Sequence, residues 1–225
     1  MPRAALQQDD IAAFRARATA AATRLFAKHG YEGVTMRALA DELGVSAMTS
    51  YRYLTGKDEL FALVRAEAFR RFGDALAGSA GRITDATQRL LRLKRAYIQF
   101  ALDHSDAYRI MFEIRTPSAA AAAAAAAGTA AGATDADSDV DRESRRAFGF
   151  LHDAVRAAVD AHQLAGDALA IARLLWASTH GLVSLYLAGR LSLRALEQLA
   201  AVDHELAGFR TTTAPTPPSR SRSPR

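Results

Sequence analysis

The chain has 225 residues, half of them apolar and 24% charged, with a formal net charge of +5 and no cysteine. The lack of cysteine excludes a disulfide framework, a thiolate nucleophile and any Cys-ligated zinc or iron–sulfur site. Fifty-two alanines against 14 glycines and 6 prolines favour helix over strand, so the expected fold class is all-α.

Residues 1–10 are polar, end in Asp9 and Asp10 and carry no secretory pattern, so a disordered arm and a cytoplasmic location are expected. Residues 11–29 place Phe14, Ala18, Ala21 and Leu25 on one helical stripe. His29-Gly30 closes it, because glycine takes the left-handed cap geometry cheaply. Thr35 stands at the N-cap of a short helix that turns Leu39, Ala40 and Leu43 inward, and Gly44 ends that helix. Val45 reads as a buried spacer, after which Ser46 caps a second short helix to about Tyr53. A connecting helix is assigned to residues 58–80, apolar through Leu60, Leu63, Val64, Phe69 and Phe72 as far as Leu76. Gly78 and Gly81 interrupt the pattern, and a domain boundary is placed there.

Residues 81–209 form the second expected domain. It begins with a helix over 85–104 bearing Leu90, Leu93, Tyr97 and Phe100. A short helix over 106–114 packs Tyr108, Met111 and Phe112, and Pro117 stops it. Residues 118–141 read as a low-complexity insertion, with nine consecutive alanines at 119–127 and an acidic run that follows. Nine alanines fall short of the ~12–15 residues an isolated helix needs in water. Helices resume at about 142–163, 167–188 and 192–208, and residues 210–225 read as a disordered basic tail.

Charge is unevenly placed. Residues 11–57 hold seven Lys/Arg against three acids, and Arg210, Arg220, Arg222 and Arg225 load the tail, whereas residues 135–143 hold five acids against one arginine. Two basic regions on a helical chain point to a polyanionic partner. Residues 168–188 are long and apolar enough to span a bilayer, yet Arg173 and His180 lie inside them. A doubly buried helix in a core or dimer interface is expected there, with no membrane.

Two short helices joined by a tight glycine turn behind a longer helix make a helix-turn-helix over residues 11–57, whose second helix enters the DNA major groove. An ordinary helical hairpin shares that spacing, so the exposed chemistry decides. The second helix offers Ala47, Met48, Thr49, Tyr51, Arg52 and Tyr53, with Lys57 beyond it and no acid between Gly44 and Lys57. Small residues admit the helix to the groove, Met48 suits a thymine methyl, and the hydroxyls suit phosphates or base edges. The helix start at Ser46 offers backbone N–H groups to a phosphate.

The run Leu25 to Thr35, with Arg37, Leu39-Ala40, Gly44-Val45-Ser46, Tyr51-Arg52-Tyr53 and Lys57-Asp58-Glu59-Leu60, resembles the TetR (tetracycline repressor) family over roughly residues 11–65. The resemblance implies an all-α homodimer with an N-terminal helix-turn-helix domain and a C-terminal ligand-binding and dimerisation domain. It implies that Arg37, Ala47, Met48 and Tyr51 face bases, and that Thr35, Thr49, Arg52, Tyr53 and Lys57 contact phosphates. Ser50 and Leu54 depart from the family pattern, where an apolar residue and Phe are commoner; both bear on packing. Trp176-x-x-x-His180-Gly181 resembles a subgroup of the family with a Trp…His-Gly signature in its regulatory domain. The same resemblance assigns the helices near 167–188 and 192–208 to the dimer.

The function implied is a ligand-responsive repressor that acts on a palindromic double-stranded DNA operator. Its small-molecule effector, expected to be largely apolar, would meet Phe100, Tyr108, Met111, Phe112, Phe150, Trp176 and His180, residues that also suit an ordinary core. No cofactor or metal is expected. Six scattered histidines show no clustered metal spacing, and the chain shows no nucleophile elbow or phosphate-binding glycine loop, so an enzyme is not expected. A nonspecific nucleic-acid binder, suggested by the Ser-Arg-Ser-Arg-Ser-Pro-Arg tail, is the third class considered.

Overall fold

The computed structural model describes residues 8–81, 83–114 and 135–206; the expectations for residues 1–7, the alanine run and the basic tail lie outside them. The described residues form nine helices and no strand. These are α1 (Gln8–His29), α2 (Met36–Leu43), α3 (Ala47–Tyr53), α4 (Lys57–Ala80), α5 (Ala86–Asp103), α6 (Ser105–Phe112), α7 (Asp135–Asp160), α8 (Ala168–Leu187) and α9 (Leu193–Leu206).

Local chemistry sets most of the boundaries. Thr35 Oγ1 accepts the Ala38 N–H at 3.1 Å to start α2, and Gly44 ends it at φ 67°. Asp85 and Asp167 cap α5 and α8, each accepting a backbone N–H three residues ahead at 2.7 Å. Two expected boundaries are corrected. α1 starts at Gln8, so residues 8–10 are helical rather than part of the arm. α4 spans Lys57–Ala80 and runs straight through Gly78, because one glycine costs a long, well-packed helix only about 1 kcal/mol.

The second correction is larger. α7 starts at Asp135, seven residues before the expected 142, so the acidic run is helical rather than insertion. Ion pairs within the run and to α4 explain why it orders. Arg142 pairs with Asp139 and Glu143, and Arg146 reaches Glu143 at 3.3 Å and Asp74 at 2.6 Å. Asp74 also holds Arg70 at 2.8 Å. Acids near a helix N-terminus further favour the helix dipole.

Two apolar clusters form. One gathers Phe14, Ala18, Ala22 and Phe26 of α1 around Leu39, Leu54, Leu60, Phe61 and Val64. The other joins Phe69, Phe72 and Leu76 of α4 to Leu90, Leu93, Tyr97, Tyr108, Val155, Leu175 and Val183. α4 serves both, and so does α6, whose Ile110 belongs to the first cluster while Tyr108 and Met111 belong to the second.

α8 is long and apolar enough to cross a membrane by length and composition. Within the single protomer it is buried on one side only. One side, through Ala172, Leu175, Thr179 and Val183, packs inward. The opposite side leaves Leu174 63% and Leu185 47% exposed. A Cβ built on Gly181 would meet nothing within 4 Å, so no described residue packs closely against it.

Candidate DNA-binding face and regulatory cavity

α3 presents a continuous outer face. Ala47, Met48, Tyr51 and Arg52 are exposed, Met48 at 72% and Tyr51 at 56%. Residues at i, i+1, i+4 and i+5 share one side of a helix, so these four lie where a groove would meet them. Arg37 is exposed on α2. Ser46 Oγ accepts the Thr49 N–H at 3.1 Å and hydrogen-bonds Thr49 Oγ1 at 2.9 Å. Thr35, Ser46 and Thr49 therefore use their oxygens to build the helices while remaining close to the surface.

Tyr53 is half-buried rather than outward, stacked on Phe14 with ring centres 4.2 Å apart. The Arg52 guanidinium lies 6.0 Å from the Tyr53 ring centre. Lys57 Nζ sits 4.2 Å over the Tyr31 ring and 3.7 Å from Glu32, whose side chain is 84% exposed. Such an exposed pair stabilises little, so the ammonium remains available to a phosphate. Two supports went unread in the sequence. Arg15 pairs with Glu59 at 2.6 Å, and that carboxylate accepts Thr55 N–H and Oγ1–H at 2.6 and 2.9 Å. Nothing in the pattern of α1 marks Arg15 for that duty.

The motif core is imperfect in one place. Ser50 is fully buried and its hydroxyl has no hydrogen-bond partner, and Leu54 beside it is buried normally. Val45, expected to be buried, is half-buried.

α4, α5, α6, α7 and α8 line an open cavity of about 470 Å³. Phe69, Phe72 and Leu76 of α4, Phe148 and Leu151 of α7, Phe112 and Trp176 form apolar walls, and Arg65, Arg145 and Arg173 also line it. A smaller space of about 40 Å³ adjoins it through Leu76, Tyr97, Leu151 and Trp176. Behind the wall, Tyr108 Oη lies 2.6 Å from His180 Nδ1 and 3.1 Å from Tyr97 Oη. Burial pushes the Tyr97 hydroxyl up to about 12. It raises Tyr108 further and holds the His180 imidazole below its usual value.

Of the predicted pocket residues, Phe112 and Trp176 line the cavity. Tyr108 and His180 form the polar group behind it. Phe100 and Met111 are buried in the core without lining the cavity, Phe100 packing on the wall residue Phe72 with ring centres 5.2 Å apart, and Phe150 is half-buried with its ring centre 5.8 Å from the Arg146 guanidinium. Phe69 and Phe72, on a stripe running as far as Leu76, were read only as the apolar side of the connecting helix, since a helical stripe fixes a face but not what it faces. Phe148 and Leu151, at i and i+3 on α7, were the available signal for the missed wall.

The C-terminal half, residues 90–209, matches the family described as tetracyclin repressor-like, C-terminal domain. Residues 18–64 match the bacterial regulatory proteins of the tetR family. The HTH-type transcriptional activator FasR of Mycolicibacterium smegmatis is 30% identical over 104 residues, 45% of this chain. The chain spans about half the length of that curated relative, 48%. A bacterial regulatory protein in the tetR family from Rhodococcus RHA1 superposes with a TM-score of 0.67 at 17% identity, over 87% of this chain and 97% of its own. The fatty acid degradation regulator FadR of Bacillus halodurans gives 0.68 at 15% identity, over 87% and 97%. Those two likenesses establish the fold. With residues 18–64 and 90–209 both matched and the helix-turn-helix in place, the chain belongs to the TetR family of bacterial regulatory proteins.

Proposed function

We propose that the protein is an effector-responsive repressor that binds a palindromic operator as a homodimer in the cytoplasm, with no catalytic step of its own. Its recognition residues would be Arg37, Ala47, Met48 and Tyr51. Backbone groups at Ser46 and the side chains of Thr35, Thr49, Arg52, Tyr53 and Lys57 would hold phosphates. In this reading residues 11–57 form the DNA-binding unit and 81–209 the regulatory unit, joined by α4.

The observation that carries the reading is the double membership of α6. Ile110 packs with the helix-turn-helix core and Tyr108 with the cavity core, both fully buried. Arg65 of α4 donates from Nε and Nη2 to the Met111 carbonyl at 3.1 and 2.9 Å. A molecule in the cavity that moves α6 or α4 therefore disturbs the seat of the recognition helix. Two recognition helices fit half-sites about one turn apart in only one arrangement, so such a shift lowers affinity.

The outer face of α8, with Leu174, Ala177, Gly181 and Leu185, is assigned to a second copy of the chain. Arg173 on the same helix argues against lipid. In this reading Trp176 stands in the cavity wall and His180, one turn on, belongs to the polar group behind it.

The test is fluorescence anisotropy with a palindrome from the gene's own promoter region and with a shuffled duplex of equal length. Preference for the palindrome is the expected result; equal binding defeats the reading. Activation is the second reading, favoured by the name of the relative FasR. In vitro transcription from that promoter separates the two, since a repressor lowers transcript and an activator raises it.

A further inference from the structure

Resting on the effector-cavity reading above, we propose that the effector is an organic anion with an apolar tail, its head held by Arg145 and Arg173. The inner walls, among them Phe69, Phe112, Phe148 and Trp176, are apolar, and no carboxylate among the described residues lines the cavity. Neighbouring arginines are neutralised: Arg146, next to Arg145, holds Asp74 and Glu143, and Arg142 holds Asp139. Arg145 and Arg173 have no ion-pair partner among the described residues and are both exposed.

Two uncompensated positive charges beside an apolar cavity focus field at its opening and attract an anion. They exclude a cation by the same argument. A carboxylate or phosphate matches the planar donors of a guanidinium, and water still reaches the head while the tail is buried. A neutral ligand of the same shape gains only the burial of its tail. The anionic head thus distinguishes the effector, and the aromatic walls bind the rest.

Trp176 is the only tryptophan in the chain and stands in the cavity wall, so its fluorescence reports occupancy directly. Full-length protein is titrated with decanoate, decyl phosphate, 1-decanol and decyltrimethylammonium, followed by Trp176 emission and by isothermal calorimetry. Decanoate or decyl phosphate binds about tenfold tighter than the alcohol, and the two separate a carboxylate from a phosphate head. Each methylene from hexanoate upward tightens binding about fourfold until the cavity is full. R145Q and R173Q each weaken anion binding about tenfold and change alcohol binding less than twofold, which also shows that the cavity is intact.

Equal affinity for anion and alcohol, equal loss of both in the variants, or preference for the ammonium overturns the assignment. Anion binding that leaves DNA affinity unchanged supports the assignment and defeats the regulatory reading. Release of DNA by the alcohol alone does the reverse.

Discussion

Tyr108 and Ile110 lie two residues apart on α6 and pack into different cores. Successive pairs on a helix point roughly 200° apart, so a helix of eight residues can be buried on both sides at once. α6 therefore touches the cavity network and the helix-turn-helix core with no intermediary. The Arg65 guanidinium fixes its last turn by gripping the Met111 carbonyl.

Ile110→Ala should cost about 2–5 kcal/mol, because a fully buried side chain leaves a void between α1, α4 and α6. Urea unfolding measures it. Ile110→Val, which keeps most of the volume, should lose only about 1 kcal/mol. A loss below that for the alanine variant would mean that α6 is not seated on the first core.

Lys57→Ala and Arg52→Ala should each lower the slope of log affinity against log salt by about one unit, as one phosphate contact is lost. Met48→Ala should instead change which duplex is preferred and leave the slope as it is. Anisotropy at several potassium concentrations checks both. An unchanged slope for both basic variants would remove them from the phosphate set.

Ser50→Ala should stabilise the protein by about 1 kcal/mol, since it removes a buried hydroxyl with no partner and leaves almost no void. Its side chain faces inward, so DNA affinity should be unchanged. Chemical denaturation and anisotropy on the same preparation give both answers. A destabilised variant would show that the hydroxyl is paired in solution.

His180 should make stability fall in acid. Burial lowers its native pKa, while the unfolded imidazole titrates near about 6.5. Between the two values the unfolded chain binds more protons, so stability rises with pH across that window. The contribution is complete above about pH 6.5 and is lost as pH falls toward the lowered native value. Denaturation at about pH 8, 6.5 and 5.5 should therefore show a steeper acid loss for the native chain than for His180→Gln. Parallel curves would exclude His180 as a source.

Leu174→Glu with Leu185→Glu should leave a folded monomer, because both side chains point away from the protomer's core. Light scattering reads the mass and circular dichroism the fold. Operator affinity should fall with the loss of the second half-site. A dimer that survives both changes would place the interface elsewhere.

The caps were legible because their chemistry is local: Thr35, Gly44 and Ser46 each act within four residues of themselves. The outer face of α3 followed from the same local frame. α7 was misread at its start because its stability comes from Arg146 reaching Asp74, 72 residues away. The cavity walls failed for a related reason. Phe148 and Phe100 are both aromatic residues on helical stripes, and only tertiary packing sends one to a void and the other to the core. Ser50 was the reverse case. Its polarity in an apolar position marked an imperfect core, and its unpaired hydroxyl bears that out.

α4 has 24 residues, which makes a rod of about 36 Å. Rotation about its cavity end by about 3° would carry the Lys57 end sideways by about 2 Å over that length. A hydrogen bond tolerates only a few tenths of an ångström before it weakens. Leverage of this kind means that a small molecule need do very little mechanical work in the cavity to take a phosphate contact out of reach.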